Sequence, residues 1–248
     1  MRGILEQLLR APFEEPVVQE DRRTQSLLFD NFHVQSSMRK NAPLELDLAY
    51  TRAMMLFLLF HPCPRDILIV GLGGGSLSKY CFHNLSASRI TTIEIDERVI
   101  ALRDQFVIPP DSERFRVIHA DASEYLSGKT NVADIILLDG FDAFSLPFSL
   151  STQRFYDDCY AALRHEGVVV ANLLDSDAQL EDCLHRIRHA CDGKMLRTSV
   201  RRERHTIAIG LKQKTVPEWQ HLYRHAQAIT KSMGLDLMRY VKKMERIN

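Results

Sequence analysis

The sequence predicts an α/β protein: a doubly wound, largely parallel sheet, with a β-hairpin element ahead of it and helices behind. Three observations carry that expectation. From residue 66 onward, short apolar runs alternate with amphipathic stretches, the pattern of successive βα units. Residues 66–71, Asp-Ile-Leu-Ile-Val-Gly, form a continuous apolar run, as in a strand buried on both faces. A glycine-rich turn, Gly71-Leu72-Gly73-Gly74-Gly75, then joins that run to a helix opening at Ser76.

Taken in order, the elements follow from local chemistry. Two short apolar runs, residues 26–29 and 32–34, flank Asp30-Asn31, a pair suited to a tight turn, and predict a hairpin. Leu44, Leu48, Met55, Leu58 and Leu59 recur at helical spacing, and Pro62 and Pro64 stop that helix, placing it over residues 44–60. Strands follow at 66–71, 89–94, 115–119, 133–139 and 168–172. Between them the spacing predicts helices over 76–84, from an Asp96 cap to about Phe106, near Ser123, and over 151–167 up to Gly167. A helix over 178–190 precedes two extended runs, 195–200 and 206–211, which read as an antiparallel edge. Trp219, Leu222, Ala226, Ile229 and Met233 mark an amphipathic helix broken by Gly234, and Leu237, Tyr240, Val241 and Met244 mark another. The expected organisation is a hairpin and helix over 1–62, a Rossmann-like βα domain over 63–212 and packing helices over 213–248.

Composition excludes several classes. Of the 248 residues, 45% are hydrophobic, enough for a buried core and too many for a disordered chain. Basic and acidic residues number 32 each, and a net charge of zero argues against a nucleic-acid or anionic-membrane binder. The apolar stretch 53–60 is far short of a bilayer span, and the N-terminus has acids too early for a secretory signal. Five cysteines without a Cys-x-x-Cys suggest a reduced, cytoplasmic protein without a zinc ribbon. His185 and His189 have metal-pair spacing but fall on the polar side of their helix, so no metal is expected.

Three acids stand at successive strand ends: Glu94, Asp121 and Asp139. Glu94 lies 23 residues beyond Gly71, where a carboxylate accepts hydrogen bonds from both hydroxyls of a ribose. Asp121 suits the amino group of an adenine, or else caps the helix after it; the two roles can coexist. The last position of a dinucleotide fingerprint is taken here by Ser76, and no basic residue of the loop faces a pyrophosphate. The acids therefore favour a phosphate-free ligand with its own positive charge, an adenosyl sulfonium. After the fourth strand, Leu138-Asp139-Gly140-Phe141-Asp142 places two carboxylates three residues apart. Such a pair can bind an ammonium and remove its proton, though Asp142 also suits a capping turn. The apolar segment 143–148 is suited to a lid over that site. The basic run at Arg201–Arg204 reads as a solvated turn.

Several segments together resemble the spermidine synthases, or polyamine aminopropyltransferases, especially their shorter bacterial relatives. They are Leu48-Ala-Tyr50-Thr-Arg-Ala-Met-Met55, Ile69-Val-Gly-Leu-Gly-Gly-Gly-Ser76, Ile93-Glu-Ile-Asp96, His119-Ala-Asp-Ala122, Leu138-Asp-Gly-Phe-Asp142 and the helix–strand over 151–172. The resemblance covers residues 18–173. It implies a Rossmann-like sheet of the S-adenosylmethionine-dependent methyltransferase type and decarboxylated S-adenosylmethionine as aminopropyl donor. It also implies an amine acceptor and usually a homodimer. By position, Gly71, Gly73 and Gly74 would line the donor site, with Glu94 on the ribose and Asp121 and Ala122 on the adenine. Asp139 would be the catalytic base, Asp142 its partner on the gating loop and Tyr50 a substrate-side tyrosine.

The sequence also departs from the family pattern. Gly74 stands where the family carries the aspartate that holds the donor's ammonium, and Arg52 stands where it carries an acid. Asn172-Leu-Leu-Asp175 replaces a proline-containing aromatic segment. These changes disfavour a polycationic acceptor and favour a donor that keeps its carboxylate. The sequence therefore leaves three readings: aminopropyl transfer to an amine, methyl transfer from intact S-adenosylmethionine, or nucleoside binding without turnover.

Overall fold

The computed structural model describes residues 15–29, 34–140, 146–200 and 203–246. Three antiparallel strands come first: β1 (Val17–Glu20), β2 (Thr24–Leu28) and β3 (Val34–Arg39). The expected hairpin is β2–β3, paired from Thr24↔Arg39 to Leu28↔Val34, while its expected turn at Asp30-Asn31 lies outside the described residues. β1 adds a third strand that the sequence pattern does not announce.

Helix α1 (Ala49–Met54) then runs into a 3-10 turn, Met55–Leu59. The helix expected over 44–60 thus opens later, at Ala49. A carboxylate from far along the chain, Glu203, accepts hydrogen bonds from the Ala49 and Tyr50 N–H groups at 2.8 Å each and sets the first turn there. The residue at the capping position, Leu48, has no acceptor of its own, and Asp47 is held by the Ser37 hydroxyl at 2.7 Å.

The main body alternates β4 (Asp66–Val70), α2 (Ser76–Asn84), β5 (Arg89–Glu94), α3 (Glu97–Ala101), β6 (Phe115–His119), α4 (Ala122–Leu126) and β7 (Ala133–Leu138). After β7 come α5 (Phe148–Ser151), α6 (Gln153–Ala162), β8 (Leu163–Leu174), α7 (Leu180–Ala190), β9 (Met195–Val200) and β10 (His205–Leu211). The chain closes with α8 (Trp219–Met233), α9 (Met238–Val241) and a two-residue strand, β11 (Glu245–Arg246). The sheet order is β11-β9-β10-β8-β7-β4-β5-β6. From β8 to β6 neighbouring strands are parallel, whereas β10 is antiparallel to both β8 and β9.

Period-two alternation sorts the apolar runs onto two faces. Ile67, Ile69, Ile135, Leu137, Val168 and Val170 share one core with α1, α2, α3, α8 and α9. Leu68, Val70, Ile136, Leu138, Val169 and Ala171 share the other with α4 to α7. The fold is therefore the expected α/β sheet covered on both sides.

Two helix ends and the rim of the sheet differ from those expected. Asp96 caps α3 through the Arg98 N–H at 2.9 Å, but regular helix ends at Ala101 rather than near Phe106. The helix expected to end at Gly167 stops at Ala162, because Leu163 pairs with Ala133 of β7 and Arg164 bridges Asp66 at 2.7 Å. The antiparallel pair is not itself the rim of the sheet, since β11 pairs with β9. Among the described residues no helix is long and apolar enough to cross a membrane.

Candidate active site

The strand order reverses between β4 and β7, and in open α/β sheets the crevice at such a switch point is where ligands bind. Gly71 ends β4 and Asp139 follows β7, and the two meet there. A Cβ on Gly71 would lie 2.2 Å from the Asp139 carbonyl oxygen, so only glycine fits, and its φ of 91° has the same requirement. Gly73 faces more open space, with Ser36 Cβ 3.8 Å from where a Cβ would stand. Gly74 does not: an added Cβ would lie 2.6 Å from Ser36 Oγ and 2.9 Å from the Phe106 ring. The room that an acidic side chain would need at this position is filled by those two residues.

Glu94, at the end of β5, accepts the Leu72 N–H at 2.8 Å on one oxygen and the Asp96 N–H at 2.9 Å on the other. Its carboxylate is thereby fixed beside the glycine turn, and burial raises its pKa above the ordinary value. Asp121 caps α4, with Oδ1 accepting the Ser123 N–H at 2.7 Å and the Ser123 hydroxyl at 2.6 Å. Its Oδ2 takes no bond among the described residues. The capping role is thus occupied, with one oxygen left over, and Ala122 is buried as the first residue of α4.

Asp139 holds the chemically distinctive position. Oδ1 accepts from the Asn172 amide at 2.8 Å, and Oδ2 accepts from the Tyr50 hydroxyl at 3.3 Å. Burial pushes its carboxyl up to about 6, with the two hydrogen bonds opposing the shift. Burial and the adjacent carboxylate hold the Tyr50 phenol well above its usual range, so it acts as a donor. The Tyr50 ring stacks on His205, with centroids 4.5 Å apart and planes 21° from parallel. His205 Nδ1 in turn lies 2.7 Å from Asn172 Oδ1.

The structure brings Asp139, Tyr50, Gly71 and Glu94 to one end of the sheet; Asp142 falls in residues 141–145, outside the described residues, as does half of the expected lid. Phe148, at the lid's far end, is 77% exposed. Sequence reasoning missed Asn172 and His205. Asn172 had a visible signal, a polar residue ending the apolar run Val168-Val169-Val170-Ala171; it is 2% exposed. His205 had none, because antiparallel pairing of β10 opposite Leu174 brings it in.

Two expectations need correction. Arg52, read from the sequence as a cation in the place of the family's acid, has Nη1 engaged by the Leu46 and Asp47 carbonyls at 2.6 Å each, and residues two apart on a helix, as it and Tyr50 are, face different ways. The Arg201–Arg204 turn is more than a solvated loop, since its Glu203 caps α1; Arg201 and Arg202 lie outside the described residues. Among the described residues no group of three or more potential metal ligands is assembled.

Residues 47–196, more than half of the chain, match the family model described as the spermine/spermidine synthase domain. The chain is 32% identical over 244 residues to a polyamine aminopropyltransferase of Neisseria meningitidis serogroup B, covering 96% of this chain and 92% of that protein. Its fold is similar to that of a probable spermidine synthase from Corynebacterium glutamicum, with a TM-score of 0.71, 18% identity and 85% and 83% of the two chains covered. Human methyltransferase-like protein 13, solved with S-adenosylhomocysteine (SAH), is also similar, with a TM-score of 0.65, 23% identity and 81% and 96% covered. At those identities the two structural likenesses speak for the fold alone.

Proposed function

The chain belongs to the spermine/spermidine synthase family, and from that premise we propose that it is a polyamine aminopropyltransferase using decarboxylated S-adenosylmethionine. The observation that carries the catalytic part of this reading is the half-buried Asp139 carboxylate, held by Tyr50 and Asn172 and raised to about 6. An acceptor amine is protonated at neutral pH, its ordinary pKa being about 10. Asp139 takes that proton. The nitrogen lone pair then attacks the methylene carbon next to sulfur, the carbon–sulfur bond breaks, and its electrons leave neutral methylthioadenosine. A sulfonium leaves without a general acid, so the enzyme's work is proton removal and alignment.

In this reading Gly71 and Gly73 let the donor approach the turn, Glu94 takes the ribose hydroxyls, and Asp121 with Ala122 meets the adenine. Tyr50 and Asp142 flank the acceptor. Arg52 directs its Nη1 to the Leu46 and Asp47 carbonyls. The proposal extends to a homodimer in the cytoplasm with no metal and neither nucleic acid nor membrane as partner; light scattering tests the dimer.

Calorimetry with decarboxylated and intact S-adenosylmethionine, paired with turnover across a panel of diamines, tests the function. Tighter binding of the decarboxylated donor and release of methylthioadenosine are expected. Release of S-adenosylhomocysteine would instead establish methyl transfer. Glu94→Gln should weaken methylthioadenosine binding by about 1–3 kcal/mol, since a charged acceptor of two hydroxyls is lost. Unchanged affinity in the folded variant removes Glu94 from the donor site.

A further inference from the structure

We propose that His205 is a positioning residue for Asp139: acting through the Asn172 side chain, it fixes the direction of the amide that keeps the carboxylate ionised and aimed. The inference rests on the reading of Asp139 as the base and adds to it a residue from β10, the antiparallel neighbour of β8.

An ionised carboxylate only accepts, so the Asn172 atom 2.8 Å from Asp139 Oδ1 is the amide nitrogen. The other end of the amide is then an oxygen and needs a donor. His205 Nδ1, at 2.7 Å, supplies it, which assigns the proton of the neutral ring to Nδ1. Asn172 is 2% exposed, so water does not readily take the place of that donor. The Tyr50 ring, stacked on His205 at 4.5 Å, fixes the tilt of the imidazole. The Tyr50 hydroxyl closes the circuit on Asp139 Oδ2 at 3.3 Å. Four side chains from four separate segments therefore form one ring of contacts, in which the amide is an element that can be reversed. Without the histidine donor Asn172 can turn over, presenting oxygen to Asp139, which favours the protonated acid.

The titratable groups facing the imidazole are Tyr50 from α1, Glu203 from the turn before β10 and Asp175 beyond β8, with Asp139 behind Asn172. Burial holds the imidazole below its ordinary pKa despite Glu203 and Asp175, so the ring is neutral at neutral pH. Protonation at lower pH leaves Nδ1–H in place, so the link to Asn172 survives it.

The test is the titration of the Asp139 side-chain carbon by carboxyl carbon-13 NMR in the wild type, His205→Phe and His205→Asn. Phenylalanine keeps a ring on Tyr50 but cannot donate, whereas asparagine places an N–H near the Nδ1 position. His205→Phe should move the Asp139 midpoint upward by roughly half a unit or more, and His205→Asn should leave it close to wild type. The acid limb of kcat should move the same way in His205→Phe, with kcat at pH 7 down by as much as about 10²-fold and donor KM unchanged. Nitrogen-15 NMR of the wild type should show the Nδ1–H tautomer, an outcome that does not depend on a variant folding. An Nε2–H tautomer, or an unmoved Asp139 midpoint in folded His205→Phe, overturns the proposal. Failure of the wild type to transfer an aminopropyl group to any amine would count against the proposed function, while the carboxyl titration would still decide the role of His205.

Discussion

Asp139 receives Tyr50 on one oxygen and Asn172 on the other, yet burial outweighs both bonds and leaves its pKa at about 6. A carboxyl whose pKa is raised on folding costs stability above about pH 6, and that cost fades as pH falls toward its unfolded value of 3.8. At 1.36 kcal/mol per unit the cost at neutral pH is at most about 3 kcal/mol. Asp139→Asn should therefore raise Tm at pH 7 while lowering the rate by about 10²–10⁴-fold, the range for loss of a general base. A turn-forming aspartate predicts the reverse, a less stable and fully active variant; melting curves beside single-turnover rates separate the two. At Gly74 the same residue-level view changes an expectation. Restoring the family's acid by Gly74→Asp would drive a Cβ into Ser36 and the fully buried Phe106 ring. The variant should lose about 1–3 kcal/mol of stability, read by denaturant titration. A fully stable Gly74→Asp would show that the turn has room for the acid after all.

At the scale of elements, α1 depends on a residue more than a hundred positions away. Its first two N–H groups are satisfied by Glu203, and the Ala49 carbonyl accepts the Tyr240 hydroxyl at 2.9 Å. A six-residue helix without a capping side chain of its own has little intrinsic stability, so those tertiary partners hold it. Because Tyr50 is the second residue of α1, the cap also sets where its hydroxyl meets Asp139. Glu203→Ala should cost about 1–2 kcal/mol, or roughly 2–8 °C in Tm for a chain of this size. It should also slow turnover more than Glu203→Gln, which keeps one acceptor. Equal rates and melting points for Glu203→Ala and wild type would show that α1 does not need the cap.

For the whole molecule, one core joins segments from all parts of the chain. Leu27 and Met38 of the hairpin, the buried run Met54–Leu59, Ile67 and Ile69 of β4, and Leu222, Leu237 and Val241 near the C-terminus lie in the same apolar cluster. His225 Nδ1 meets the Leu59 carbonyl at 2.7 Å, tying α8 to the 3-10 turn. Removing the chain from Pro217 onward should expose that turn and destabilise the whole protein, with loss of the cooperative melt and of donor binding together. A truncated chain melting at the wild-type temperature would show that the C-terminal helices are dispensable.

The sequence by itself determined the class of fold and most of its strands, because βα alternation and buried apolar runs are local patterns that any packing must satisfy. It also determined where Asp139, Glu94 and the glycine turn lie, since each sits at a strand end and ligand crevices form at strand ends. The tertiary structure alone decided the rest. Helical periodicity over 44–60 cannot reveal that a distant carboxylate starts the helix at Ala49, nor can the run 163–167 reveal that pairing with β7 makes it strand. Asn172 showed only as a polar residue closing an apolar strand, and His205 and Glu203 looked like the edge of a charged turn. Their partners come through antiparallel strand pairing and a helix N-terminus from elsewhere in the chain, contacts of long sequence separation that leave no period in the residues themselves.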